Sequence, residues 1–170
     1  MATVWIALGS NVGDRLVHLQ QAVTLLAKQV HIEKVSPLYQ SAPMYVTDQP
    51  AFLNGALVAE TDLSPRALLK VLKSIEAEVG RQARKRYGPR EVDLDLIAYG
   101  SLQYRYRYLH NQVLELPHPK TEERRFVLQP LADLDSGLKL PGLGYVSALL
   151  EQTYDQACDL VLQEDAVLSL

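Results

Sequence analysis

An α+β fold, built on one antiparallel sheet with two helices against one face and a C-terminal extension, is what the apolar segments of this chain predict. Strand-like apolar runs and stretches of helical period follow one another as strand, helix, strand, strand, helix, strand. The second helical stretch opens on Ser64-Pro65, a side-chain cap followed by a proline at the first helical position. The 170 residues are 48% hydrophobic and 22% charged, which suits one compact domain with a real core better than two small ones.

Thr3 to Leu8 is short, apolar and rich in strand formers, and Gly9-Ser10-Asn11 stops it, so a buried strand followed by a turn is expected. From Asp14 onward, Leu16, Leu19, Val23, Leu26 and Val30 recur at helical spacing and mark an amphipathic helix. His31 to Tyr39 reads as a second strand, ended by the Ser36-Pro37 break. Ser41 to Pro50 holds two prolines and several polar residues and reads as a long connecting loop. Phe52 to Glu60 is the third strand. Leu68, Leu72, Ile75 and Val79 carry the buried stripe of the second helix, with Gly80 where a C-terminal cap belongs. After a basic loop, Glu91 to Tyr99 is the fourth strand. This order is that of a ferredoxin-like sandwich, and it leaves the other sheet face open for loops and ligands. Beyond Gly100, Tyr104, Tyr106 and Tyr108 alternate with Arg105 and Arg107, which predicts a β-arm with its tyrosines on one face. The remainder reads as mostly helical. With no internal repeat or linker, residues 1–170 are expected to form a single domain.

The formal net charge of -3 argues against a chain built to coat nucleic acid or an acidic membrane, so any anion site must be local. One cysteine, Cys158, excludes an internal disulfide, and the four histidines show no metal-ligand pairing. No apolar stretch approaches membrane-spanning length, and the run Val4 to Leu8 is short and lacks a basic leader. A cytoplasmic protein is expected.

Asp93-Leu94-Asp95 is the sharpest local signal. On a strand the two aspartates share one face while Val92, Leu94 and Leu96 point into the core. Two hard carboxylates side by side suit Mg²⁺, which takes one or two protein carboxylates plus phosphate oxygens and water; a solvated outer face is the alternative. Just upstream, Arg81, Arg84, Lys85, Arg86 and Arg90 put five cations within ten residues. Such a run is either a solvated surface or, beside a metal site, a cradle for polyphosphate. No Gly-rich phosphate loop with its lysine is present. Prolines on both sides of His118 fix its backbone, and Phe52 and Phe126, the only two phenylalanines, serve either the core or a ligand platform.

Taken together these segments resemble the 6-hydroxymethyl-7,8-dihydropterin pyrophosphokinase family, nearly end to end. The resemblance rests on Gly9-Ser10-Asn11, Asp48-Gln49-Pro50 leading to Phe52-Leu53-Asn54, and Glu76 before Gly80-Arg81. It continues through Gly88-Pro89-Arg90 with Asp93-Leu94-Asp95, Pro117-His118-Pro119 and Arg124-Arg125-Phe126. It implies transfer of pyrophosphate from ATP to the hydroxymethyl pterin, giving AMP and the pterin diphosphate in folate synthesis. Asp93 and Asp95 would hold two Mg²⁺ ions on the ATP phosphates, with Arg81 and Arg90 acting during transfer. Glu76, Arg84, Lys85, His118 and Arg124 would contact ATP. The pterin would lie between Phe52 and Phe126 under an aromatic lid, Tyr87, with Asn54 on its edge and Ser41, Ala42 and Met44 completing the wall. The partners implied are these small molecules alone, with no nucleic acid or membrane, in a monomer or weak homodimer. RNA-binding domains share the element order, but Phe52 to Glu60 lacks their basic and aromatic signature.

Overall fold

The computed structural model describes residues 1–45, 47–80, 90–161 and 168–170. In chain order its elements are β1 (Ala2–Ser10), α1 (Arg15–Leu26), β2 (His31–Val35), β3 (Tyr39–Ser41), β4 (Phe52–Thr61), α2 (Pro65–Gly80) and β5 (Asp93–Tyr99). There follow β6 (Tyr104–Leu109), β7 (Gln112–Leu116), α3 (Arg125–Leu134), β8 (Lys139–Leu140), β9 (Gly144–Tyr145), α4 (Val146–Glu151) and β10 (Asp159–Leu160). The main sheet runs β10-β3-β4-β1-β5, with β2 also on β4, and every pairing is antiparallel.

β1 sits between β4 and β5, and all residues from Val4 to Ser10 are buried. Its alternation sends Val4, Ile6 and Leu8 into one core, and Trp5 and Ala7 into a second core on the opposite face. α1 and α2 cover the first face, as expected for a ferredoxin-like fold. Asp14 caps α1 by accepting the Val17 N–H at 3.2 Å, and Ser64 caps α2 by accepting the Ala67 N–H at 3.2 Å. Leu68, Leu72 and Ile75 are buried on the stripe that the sequence assigns to α2.

The expected second strand is two strands, β2 and β3, both paired with β4. Pro37 has no N–H for the ladder, so the chain steps out between them. Ser36 pins the break: its N–H donates to the Ala56 carbonyl at 2.8 Å, and its Oγ accepts the Ala56 N–H at 2.9 Å. The second sheet face is not open along its whole length. α3 and α4 lie on it, with Val127, Leu128, Leu131, Leu134, Val146 and Leu149 buried against Trp5, Ala7, Ala56, Val58, Ile97 and Ala98. A bulge in β5 helps this cover. Trp5 pairs with Ala98 and Ile6 with Leu96, so Ile97 is the extra residue, and both Ile97 and Ala98 join the α3 side. Among the described residues, α3 and α4 leave uncovered the end of the face that carries Asn54, Asp93 and Asp95.

β6 and β7 form the expected arm as a separate two-stranded sheet. It packs on its own domain. Tyr104, Tyr106 and Tyr108 lie against the α1–α2 core while Arg105 and Arg107 are exposed. Arg66 of α2 holds the tyrosine face, donating from Nε to the Tyr104 hydroxyl at 3.0 Å and lying 3.5 Å above the Tyr106 ring.

Candidate active site

Sheet register builds the floor of the site. Gly9 pairs with Asn54 on one side and Asp93 on the other, and Ala7 pairs with Ala56 and Asp95. Asn54, Asp93 and Asp95 therefore stand on the face and at the end where α3 gives no cover. A cleft of about 410 Å³ opens above them, within the usual range for small-molecule sites. Gly9 keeps its floor low. A Cβ there would sit 3.4 Å from Asn54 Oδ1 and 3.7 Å from Phe52 Cδ1, in the space between the two.

One wall comes from β3 and the loop before β4: Ser41, Ala42, Met44, Tyr45, Gln49 and Phe52. Asn54 is 3% exposed and donates from Nδ2 to Ser41 Oγ at 2.6 Å, which fixes the amide and leaves Oδ1 turned toward the Gly9 side. The facing wall comes from the segment between β7 and α3: His118, Pro119, Lys120, Arg124 and Phe126. The His118 N–H donates to the Ile97 carbonyl at 2.8 Å, tying this wall to the bulge in β5. Its Nδ1 accepts the Lys120 N–H at 3.4 Å, so Nε2 carries the proton of the neutral ring. Burial holds the imidazole below its ordinary value, with Arg124 and Lys120 adding to the effect and Asp95 opposing it.

Asn11 joins the walls from below. Its Nδ2 donates to Gln49 Oε1 at 2.8 Å and to the Pro50 carbonyl at 3.1 Å, and its Oδ1 accepts the Arg90 N–H at 2.7 Å. The turn after β1 thus sets both the loop before β4 and the residue that leads into β5. Arg90 Nη1 lies 3.6 Å from Asp93 Oδ1. Even so, burial first, then the charges of Asp95 and Glu76, push the Asp93 carboxyl up to about 7 against the pull of Arg90 and Lys73. Among the described residues the carboxylates Asp93, Asp95 and Glu76 outnumber the cations Arg90 and Lys73 at this end of β5. Two carboxylates on adjacent same-face positions are a donor set for a hard divalent cation whose remaining ligands come from phosphate and water. Among the described residues no group of three or more His, Cys, Asp or Glu converges, so a cation here would draw on this pair.

The segment from residue 5 to residue 136 matches the family described as 7,8-dihydro-6-hydroxymethylpterin-pyrophosphokinase (HPPK). The chain belongs to this family. It is 40% identical over 141 residues to a 2-amino-4-hydroxy-6-hydroxymethyldihydropteridine pyrophosphokinase of Aquifex aeolicus, covering 83% of this chain and 85% of that protein. It is 49% identical over 132 residues to a mitochondrial folate synthesis bifunctional protein of Pisum sativum, covering 77% of this chain and 25% of that one. The chain thus spans about a quarter of the length of such bifunctional relatives. The fold matches the HPPK-DHPS crystal structure of Plasmodium falciparum with a TM-score of 0.75 at 16% identity, over 89% of this chain and 43% of that one.

Most residues that the family resemblance singles out line this one cleft: Ser41, Ala42, Met44, Phe52 and Asn54 on the first side, His118, Arg124 and Phe126 on the second, and Arg90, Asp93 and Asp95 at its end. Phe52 and Phe126 are only partly buried and both line the cleft, and Phe126 also packs against the core under α3. Arg81, Arg84, Lys85 and Tyr87 lie outside the described residues. Glu76 does not line the cleft. It stands behind β5, its Oε1 accepting the Leu94 N–H at 3.1 Å and both oxygens 3.3 Å from Lys73 Nζ. Lys73 is the residue of α2 that does reach the cleft, passing the edge strand β5. Burial alone would lower its ammonium, but Glu76 and Asp95 outweigh burial and hold it charged. Sequence reasoning missed Lys73, Tyr45 and Lys120. Each had only a faint signal: Lys73 one helical turn before Glu76, Tyr45 a large aromatic in a polar loop, Lys120 directly after Pro-His-Pro.

Proposed function

We propose that this chain transfers a pyrophosphoryl group from ATP to the hydroxymethyl oxygen of 6-hydroxymethyl-7,8-dihydropterin, releasing AMP. One observation carries the reading within the family. A single cleft places two aromatic rings and a fixed amide acceptor beside a paired carboxylate and several cations. Phe52 and Phe126 would take the faces of a flat heterocycle, and Asn54 Oδ1 would accept from its amide-like edge. Arg90, Arg124 and Lys73 would meet the anionic co-substrate, and neutral His118 would donate from Nε2. Asp93 and Asp95 would hold Mg²⁺, in two ions; when bound, the metal neutralises charge on the phosphate oxygens.

The hydroxymethyl oxygen attacks the β-phosphorus in line as the bond to the α,β-bridging oxygen breaks and AMP leaves. The chain contributes by holding both substrates at that distance and by offering fixed cations where charge gathers. Residues 1–170 act as one domain in this reading: Val146 and Leu149 complete the core under α3, and Leu168 joins the core under α1 and α2. No helix among the described residues is long and apolar enough to cross a membrane. A cytoplasmic monomer or weak homodimer belongs to the same proposal. Incubation with ATP, Mg²⁺ and the hydroxymethyl pterin tests it directly. AMP and the pterin diphosphate are expected in equal amounts; ADP, or no pterin-dependent nucleotide product, refutes it.

A further inference from the structure

Tyr45 bridges the two walls of the cleft. It stands on the loop between β3 and β4 and reaches the segment before α3. Its hydroxyl accepts from Arg124 Nη2 at 3.0 Å and donates to Glu123 Oε1 at 3.3 Å. Among the described residues, Lys120 Nζ lies 4.5 Å and the Arg124 guanidinium carbon 5.3 Å from the centroid of its ring. The same guanidinium carbon lies 5.8 Å from the centroid of the Phe126 ring. Arg124 Nε is buried with no hydrogen-bond partner among the described residues, so the Tyr45 hydroxyl and the two rings are what orient this side chain.

We infer that Tyr45 is a positioning residue for the anionic co-substrate: it holds Arg124, and Lys120 over the same ring, toward the cleft before any phosphate arrives. The inference rests on the proposed function, in which this wall meets the nucleotide. A long cationic side chain that must be ordered on binding weakens affinity by about three- to tenfold relative to one already in place. Tyr45 removes that loss from a loop, residues 42–51, that itself supplies no cation. Because the loop also carries Ser41, Ala42 and Met44, the residue acts from the pterin wall upon the phosphate wall.

The test is a double-mutant cycle on the whole chain, with MgATP as the probe in calorimetric titrations and steady-state assays alongside. Tyr45 is 43% exposed, so Tyr45→Phe should fold as the parent does. Tyr45→Phe keeps the ring and removes both hydroxyl bonds, and should weaken MgATP binding about threefold. Tyr45→Leu also removes the cation–ring contacts and should weaken it about tenfold. In both, the KM for ATP should rise more than kcat falls, and pterin affinity should stay within twofold. In an Arg124→Ala background, the effect of Tyr45→Phe on MgATP binding should vanish. An unchanged MgATP affinity in Tyr45→Leu, a loss that persists undiminished without Arg124, or a loss confined to the pterin overturns the inference. A parent chain that neither binds MgATP nor makes AMP overturns the proposed function itself, and the inference falls with it.

Discussion

Replacing Asp93 by asparagine should make the ligand-free protein more stable at neutral pH while it abolishes most turnover. The unfolded chain ionises this carboxyl near 3.8, whereas in the fold it is pushed up to about 7 by burial, Asp95 and Glu76. Between those values the native state binds more protons than the unfolded state, so stability falls as pH rises. Below about 3.8 both states are protonated and the full stability is present; above about 7 the whole penalty applies. The Asp93 side chain is 36% exposed, and solvent screening cuts the penalty to about 1–2 kcal/mol at pH 8. Asparagine keeps the shape without the charge. Urea unfolding should therefore show the variant about 1–2 kcal/mol more stable than the parent at pH 8, and less than half of that advantage at pH 5. Mg²⁺ should narrow the difference at pH 8 by relieving the parent alone. A variant equal to or less stable than the parent at pH 8 would refute the claim that burial, Asp95 and Glu76 penalise the charged Asp93 carboxylate in the fold.

Arg90→Ala should lower kcat at least tenfold more than it lowers pterin affinity, and Phe126→Ala should do the reverse; steady-state kinetics with pterin titrations would reveal a misplaced role as equal losses in both quantities. Gly9→Val should leave the fold intact, since β1 favours a branched residue, but should weaken pterin binding about tenfold or more because its methyls enter the space between Asn54 and Phe52; unchanged affinity would mean that the pterin does not use that floor. Leu128→Ala, at a fully buried site between α3 and the sheet, should cost about 2–5 kcal/mol in chemical unfolding. A loss below about 1 kcal/mol would show that α3 is not an integral cover of that face.

The central strands and α1 and α2 were legible because period and caps agree in them. Val4 to Leu8 is apolar on both faces, and Ser64-Pro65 is an unambiguous start. α3 was not. Its apolar residues follow a proline-rich segment and include Pro130, which breaks the usual signature of a helix, and only the tertiary contact with Trp5 and Ile97 explains its position. Asp93 and Asp95 could be placed on one face by alternation alone, since strand geometry dictates it. Lys73 and Glu76 could not be separated in that way. They are one turn apart on α2, and which of them reaches the cleft depends on β5 being the edge of the sheet. Tyr45 lies in a loop with no period, so no local rule connects it to Arg124.

The break at Ser36 and Pro37 also sets what the chain can tolerate elsewhere. From the Val35–Leu57 pair to the Tyr39–Asn54 pair, the outer strands advance four residues while β4 advances three. The surplus residue is accommodated opposite Gly55, where a Cβ would stand 2.9 Å from Leu38 Cδ2 and 3.4 Å from Ser36 Oγ. Leu38 is 1% exposed and has little room to retreat. An alanine at position 55 would therefore press on Leu38 and, through it, on the short strand that ends at Ser41, the hydroxyl that orients Asn54. A glycine that does not line the cleft thus restricts mutational drift at the site, and enzymes impaired by change at this position should be found with their substrate-facing residues all unaltered.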